Sequence, residues 1–254
     1  MTRVLLYQGP SPAGDIEGAF ATIARELQTA AAAGADLAVF PELFLPGYNF
    51  DRVGALTEAK DGLWSARLGE MARDAGCGLV AGYAERQGED LYNAALAIGP
   101  DGRMLANYRK IQLYGPREAA LFRPGDRYAI FDYQGRRAAL LICYDVEFDG
   151  HVAALAKLGV ELILVPTANM VPFQHVCRNT VPAHAFNHAV AIVYANFCGI
   201  EGDLTYCGES LIVARDGAVL ARAGAGPATL IVDLDHPVDP ERLSTQGRDW
   251  RPVG

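Results

Sequence analysis

The chain has 254 residues, with 22 Lys and Arg against 30 Asp and Glu, a net charge of −8 and no basic run, which argues against a nucleic-acid partner because phosphate contacts need clustered Lys and Arg. Apolar residues make up 51% and charged residues 20%, the composition of a globular chain long enough to bury a full core rather than of a disordered one. No apolar run reaches the roughly 18 residues of a spanning helix, and the first twenty residues, with one basic residue and an early Gly/Pro break, do not read as a signal peptide. A cytoplasmic protein with no membrane partner is expected. The five cysteines, Cys77, Cys143, Cys177, Cys198 and Cys207, are odd in number and widely spaced, against a disulfide framework. There is no C-x-x-C pair and no histidine at ligand spacing from a cysteine, so no structural zinc is expected.

In chain order, "RVLLYQ" reads as a strand, and "DIEGAFATIARELQTAAAAG" as a helix with Asp15 near its start and Gly34 after its end. "ADLAVFPE" is a buried strand ended by Pro41. A helix from Gly62 to Ala75 leads into "GCGLVAGYAE". "LYNAALAIG" and "MLANYRK" form a hairpin turned at Asp101-Gly102. "AALLIC" is a further apolar strand, followed by a helix from Phe148 to Leu158 and the strand "ELILVPTA". A helix from Pro182 to His188 leads into "AVAIVYAN". A second hairpin, "GESLIVARDGAVLARAG", turns at Asp216-Gly217, and "ATLIVDLD" closes the series. The tail after Pro237 is polar and irregular. Roughly a dozen strands exceed what one open twisted sheet holds, and many are apolar on both faces. Two mixed sheets packed face to face, each with helices outside, meet both constraints. With no linker-like stretch and no repeat, residues 1–254 form one domain.

Three polar residues stand at the ends of apolar strands: Glu42, Lys110 and Cys143, with Asn169 similarly placed after "VPTA". Strand ends at one edge of a layered α/β fold are where sites collect. Singly, each has an ordinary reading: a loop carboxylate, a solvated lysine, a packed thiol. Together they form a set. A thiol near its reference pKa of about 8.5 is mostly protonated at neutral pH and needs a base or a nearby cation. A buried carboxylate supplies the base, and a lysine supplies the cation and donors for an oxyanion. Glu, Lys and Cys thus suffice for acyl transfer without histidine.

On these residues the chain resembles the nitrilase superfamily of carbon–nitrogen hydrolases. "FPELFLPGYNF" is similar to that family's glutamate segment, "YRKIQLYGPREAALFRPG" to its lysine segment and "LLICYDVEF" to its cysteine segment, and the likeness runs from the first strand to about Asp235. The resemblance implies a four-layer α-β-β-α sandwich, no cofactor, and a homodimer or higher oligomer formed through the face bearing the helix after the cysteine. It implies Glu42 as general base, Lys110 as stabiliser of the tetrahedral intermediate and Cys143 as nucleophile. Glu118 positions the substrate or Lys110, unless it is only a helix N-terminal acid. The Tyr144 N–H completes an oxyanion hole, and Tyr48 and Asn169 line the pocket, unless they serve a turn and a backbone cap.

Cys143-Tyr144-Asp145 is similar to the amidase branch, nearest bacterial short-chain aliphatic amidases and those acting on 5-aminopentanamide. The implied reaction is hydrolysis of a small aliphatic or ω-amino amide to acid and ammonia through a thioester. For a substrate ammonium, Glu201, Asp203 and Glu209 are the candidate carboxylates. Alternatives are an N-carbamoyl amine or nitrile hydrolase on the same residues, a papain-like pairing of Cys143 with His184 or His188, or a non-catalytic binding protein on this fold. Two departures from the family stand out: "FDGH" where relatives have Phe-Pro-Glu, and His184-Ala185-Phe186-Asn187-His188 where they have Arg-Ala-x-Glu-Asn.

Overall fold

In β1 (Arg3–Gln8) the side chains of Val4 and Leu6 enter one core and those of Leu5 and Tyr7 another. Alternation with both sides apolar requires a sheet covered on both faces. The computed structural model, which describes residues 2–235 and 237–251, meets that requirement with two six-stranded mixed sheets. The first is ordered β14 (Ala228–Asp233), β1, β2 (Leu37–Val39), β3 (Gly78–Gln87), β4 (Asp90–Ile98), β5 (Met104–Arg109). The second is ordered β13 (Val219–Arg222), β12 (Leu211–Val213), β9 (Ala191–Ala195), β8 (Leu162–Pro166), β7 (Arg136–Leu140), β6 (Ile130–Tyr133). Each has a parallel centre, β1-β2-β3 and β7-β8-β9, with antiparallel strands on both flanks.

The sheets meet through Val4, Leu6, Val39 and Val80 on one side and Leu140, Leu164, Val193 and Ile212 on the other, within one buried cluster. Outside the first sheet, α1 (Ile16–Ala32) and α2 (Leu63–Ala75) bury Phe20, Ile23, Leu27, Leu68 and Ala72 against Leu5, Ala38 and Leu79. A short α3 (Gly115–Leu121) follows β5. Outside the second sheet, α4 (Asp149–Lys157) and α5 (Val181–His188) contribute Val152, Leu155, Val181 and Ala185. The result is the expected four-layer arrangement.

Several boundaries differ from the sequence expectation. The strand read as "ADLAVFPE" pairs only over Leu37–Val39, because the chain leaves the sheet before Pro41, which has no N–H to offer. "AALLIC" pairs only to Leu140, and Cys143 begins a 3₁₀ turn, Cys143–Glu147, rather than ending a strand. Strand β6 and the hairpin of β10 (Cys198–Glu201) with β11 (Leu204–Cys207) were not anticipated, since both are four-residue strands with little periodicity to read. The tail is not wholly irregular: a 3₁₀ turn over Pro240–Arg242 and α6 (Gln246–Asp249) occur in it.

One close approach sets the position of Glu42. The Glu42 segment crosses β3 at Gly82, whose N–H donates to the Pro41 carbonyl at 3.2 Å and whose carbonyl accepts from Leu45 N at 3.1 Å. A Cβ at residue 82 would lie 2.3 Å from Leu43 N and 2.7 Å from Glu42 Cα, both backbone atoms that cannot swing aside. Gly82→Ala is therefore expected to cost about 1–3 kcal/mol through overpacking. Urea unfolding should show a lower midpoint at unchanged slope; wild-type stability in this variant would contradict the close approach.

Candidate active site

Glu42, Lys110 and Cys143 arrive from three chain segments and meet at one edge of the sandwich. Glu42 lies just past β2, where its N–H donates to the Thr167 carbonyl of the second sheet's loop at 3.3 Å. Lys110 lies just past β5; its N–H donates to Asn93 O and its carbonyl accepts from Gly125 N, both at 2.8 Å. Glu42 and Lys110 are fully buried and Glu118, on the first turn of α3, is nearly so. Cys143 has φ = +45°, a left-handed backbone that turns its side chain out of the strand direction. It keeps partial exposure to a cavity of about 240 Å³ lined also by Tyr48, Tyr114, Tyr144, Glu147, Asn169 and His175. Larger surface clefts, about 510 and 400 Å³, contain none of the three residues.

The charges are closely coupled. Lys110 Nζ donates to Glu42 Oε1 and to Glu118 Oε1, each at 2.7 Å. Asn93 Nδ2 donates to Glu42 Oε1 at 2.7 Å. The Tyr48 hydroxyl donates to Glu118 Oε1 at 2.7 Å and Tyr114 N to Glu118 Oε2 at 3.0 Å. Glu42 Oε2 is buried and makes no hydrogen bond. Burial pushes the Glu42 carboxyl above its usual range, an effect Lys110 opposes and Glu118 reinforces. Burial alone would lower the Lys110 ammonium, but Glu42 and Glu118 outweigh it and hold the pKa well above the ordinary value. Burial also pushes the Cys143 thiol well up; Glu42 adds to that and Lys110 only partly offsets it. At rest the site thus sets a thiol with its pKa raised by burial beside a lysine whose ammonium is favoured by two carboxylates.

The turn carrying Cys143 is pinned by a residue that sequence reasoning used only to place the branch. Asp145, fully buried, accepts from Ile142 N at 3.0 Å, Gln112 N at 2.7 Å and the Tyr108 hydroxyl at 2.9 Å. It ties the cysteine turn to β5 and to the segment after Lys110. Asn93 was likewise missed. An acid two residues after a strand-end cysteine was the available signal for Asp145; a single Asn in a strand offered none. The Tyr144 N–H belongs to the first turn of the 3₁₀ segment, where backbone donors have no partner within the turn. The Tyr144 ring packs edge-on against Tyr114 and Phe148.

Tyr48 and Asn169 do line the cavity, with part of their polar capacity already used. Asn169 Nδ2 donates to Phe173 O at 3.0 Å and its N–H to Asn196 Oδ1 at 2.8 Å, shaping the loop over the pocket. The three carboxylates considered for an ammonium lie elsewhere. Glu201 accepts from Asn49 N at 2.9 Å and from the Tyr206 hydroxyl, Asp203 accepts from Asn49 Nδ2 at 2.8 Å, and Glu209 pairs with Arg178. None lines the cavity; Glu147 does. His184 and His188 face Asp149 rather than Cys143, which removes the papain-like pairing.

Comparison with known proteins places this arrangement among relatives. The carbon–nitrogen hydrolase family pattern matches residues 3–239. A Pseudomonas protegens protein described as a hydrolase in the pqqF 5' region is 43% identical over 92% of this chain and 83% of its own. An (R)-stereoselective amidase of a Pseudomonas species is 35% identical over 85% of this chain and 77% of its own. A mutant of the amidase from Nesterenkonia sp. AN1, solved after Michael addition of acrylamide at its active site cysteine, superposes with a TM-score of 0.89 at 34% identity, covering 99% of this chain and 97% of that one.

A thiol held protonated by burial should alkylate slowly at pH 7. The rate of Cys143 modification by iodoacetamide, followed by mass spectrometry, is expected to rise about tenfold per pH unit from 6 to 8.5 without a plateau, tracking the thiolate fraction. A plateau below pH 8 would show a thiolate already formed at rest.

Proposed function

This chain belongs to the carbon–nitrogen hydrolase family, and on that premise we propose that it hydrolyses small amides to the carboxylic acid and ammonia through a thioester on Cys143. The observation that carries this reading is the Lys110 ammonium fixed between Glu42 and Glu118 beside a cavity-facing Cys143. Cys143 Sγ attacks the amide carbon as its proton passes to Glu42, whose unengaged Oε2 is the oxygen free to receive it. The oxyanion is held by Lys110 Nζ and the Tyr144 N–H. Collapse breaks the C–N bond, Glu42 returns the proton to the nitrogen, and ammonia leaves. Water deprotonated by Glu42 then attacks the thioester, releasing the acid and restoring the thiol. Glu118 and Asn93 position Lys110 and Glu42 rather than reacting. No step calls for a cofactor or a metal.

The cavity, about 240 Å³, is below the usual 300–1,000 Å³ of drug-sized sites and suits a short acyl chain. Glu147 lines it as a half-buried carboxylate, raised by burial and lowered by the nearby His175. That placement favours an ω-amino amide, whose ammonium pairs with Glu147 while the amide end meets Cys143. The chain acts as one cytoplasmic domain and dimerises through the α4–α5 face, where Phe148, Leu158 and Phe186 stay partly exposed. Among the described residues, no helix is long and apolar enough to cross a membrane.

Ammonia release from aliphatic, ω-amino and carbamoyl amides and from nitriles separates the readings. Cys143→Ala is expected to abolish it, and Glu42→Gln to lower kcat about 10²–10⁴-fold, the usual contribution of a general base. Nitriles or carbamoyl compounds outpacing every amide would overturn the amidase assignment, and no turnover or acyl adduct with any of them would favour a binding protein. Glu147→Gln is expected to lower kcat/KM for 5-aminopentanamide about 10- to 100-fold, the loss of one hydrogen-bonded charge pair, while pentanamide hydrolysis changes little. Equal losses on both amides would remove Glu147 as the ammonium partner.

A further inference from the structure

The catalytic reading leaves one side-chain cluster unused. On α5, His184 and His188 stand four residues apart and so project from one helix face. Asp149, the first residue of α4, meets them there: His188 Nε2 lies 2.6 Å and His184 Nδ1 3.3 Å from the same oxygen, Oδ1. One ligand atom from each of the three lies within 4.8 Å of the other two. A tetrahedral zinc with bonds near 2.0–2.1 Å sets its ligand atoms about 3.3 Å apart, so small side-chain adjustments close this triangle on an ion.

His184 supplies the second observation. The residue is nine-tenths buried, yet among the described residues neither ring nitrogen has a hydrogen-bond partner of good geometry, and a buried polar group without a partner is costly. The Glu147 backbone carbonyl lies beside the ring. A backbone carbonyl beside the ring is also the outer partner that a ligating histidine ordinarily holds through its second nitrogen.

We propose that Asp149, His184 and His188 form a tridentate site for a divalent transition metal, zinc above all, with water completing the coordination. Two imidazoles with one carboxylate select zinc and its neighbours over calcium or magnesium, which take oxygen ligands. The ion would clamp the start of α4 to α5 and, through the carbonyl beside His184, steady Glu147 at the pocket wall. This site is independent of the amide-hydrolase reading and stands or falls separately from it.

The test uses the full chain carrying Cys143→Ala, so that the reactive thiol does not compete. After EDTA treatment and dialysis, it is titrated with zinc chloride by calorimetry and with cobalt(II) for visible absorption. One equivalent of zinc, a higher melting temperature with zinc, and tetrahedral cobalt bands are expected. His184→Gln, His188→Gln and Asp149→Asn should each weaken zinc binding by at least about tenfold, the lower end of losses seen even for outer partners. Within one chain Asp149 keeps 61% side-chain exposure, so its Asn variant is expected to retain the fold, checked by circular dichroism, even where a buried-histidine variant does not. No zinc uptake below millimolar concentration overturns the proposal, as does uptake unchanged by Asp149→Asn and His188→Gln.

Discussion

The arrangement at the sandwich edge depends on one buried ion cluster, the Lys110 ammonium held at 2.7 Å by both Glu42 and Glu118. A fully buried lysine alone would give up its proton; two carboxylates reverse that and keep it charged. The same geometry leaves one carboxylate more than the cation can neutralise. Glu42 bears part of that excess, because burial already raises its pKa and Glu118 raises it further. A group poised this way accepts a proton more readily than an exposed glutamate. Removing Lys110 would leave two uncompensated carboxylates in the interior, which is strongly destabilising. The members must therefore be placed by stiff elements, and each is: one past β2, one past β5, one on α3.

The thiol follows from the same electrostatics. A lysine near a cysteine suggests a stabilised thiolate, but burial and the charge of Glu42 outweigh Lys110 at Cys143. In the proposed mechanism Lys110 acts after attack, when negative charge appears on the substrate oxygen. The positive φ at Cys143 is a strained backbone for a residue other than glycine. It persists because Asp145 fastens the turn on both sides, taking Ile142 N within the turn and Gln112 N and Tyr108 from the lysine strand. Cys143 and Lys110 thus sit in one hydrogen-bonded frame.

The layering and the three strand-end residues were legible because apolar runs that stop abruptly at a polar residue report both a buried strand and an edge. The parallel centres followed from helices recurring between strands. Legibility failed where sequence distance replaced spatial position. Glu201, Asp203 and Glu209 were considered for substrate charge because they lie in a polar loop segment, but Glu201 and Asp203 secure the β10–β11 hairpin to Asn49 and Glu209 is spent on Arg178. Glu147 was passed over as part of the cysteine motif, although a 3₁₀ turn carries it onto the cavity wall. Cysteine–histidine spacing carries no trace of the α4–α5 cluster; its local signal is the i, i+4 pair His184 and His188, while the acid that meets them comes from another segment.

The two departures from the family turn out to be one place. "FDGH" contributes Asp149, the first residue of α4, and the histidines of α5 face it, so the two segments are spatially coupled. At that place two imidazoles, His184 and His188, face one carboxylate. Glu147 connects that face to the chemistry: its carbonyl lies beside His184 while its side chain lines the cavity. A change in how α4 and α5 are held together therefore reaches the cavity wall at Glu147, whereas the hydrogen bonds of Lys110 go to Glu42 and to Glu118 of α3. The cavity wall at Glu147 borders α4 and α5, while the Glu42–Lys110–Glu118 cluster rests on the segments past β2 and β5 and on α3.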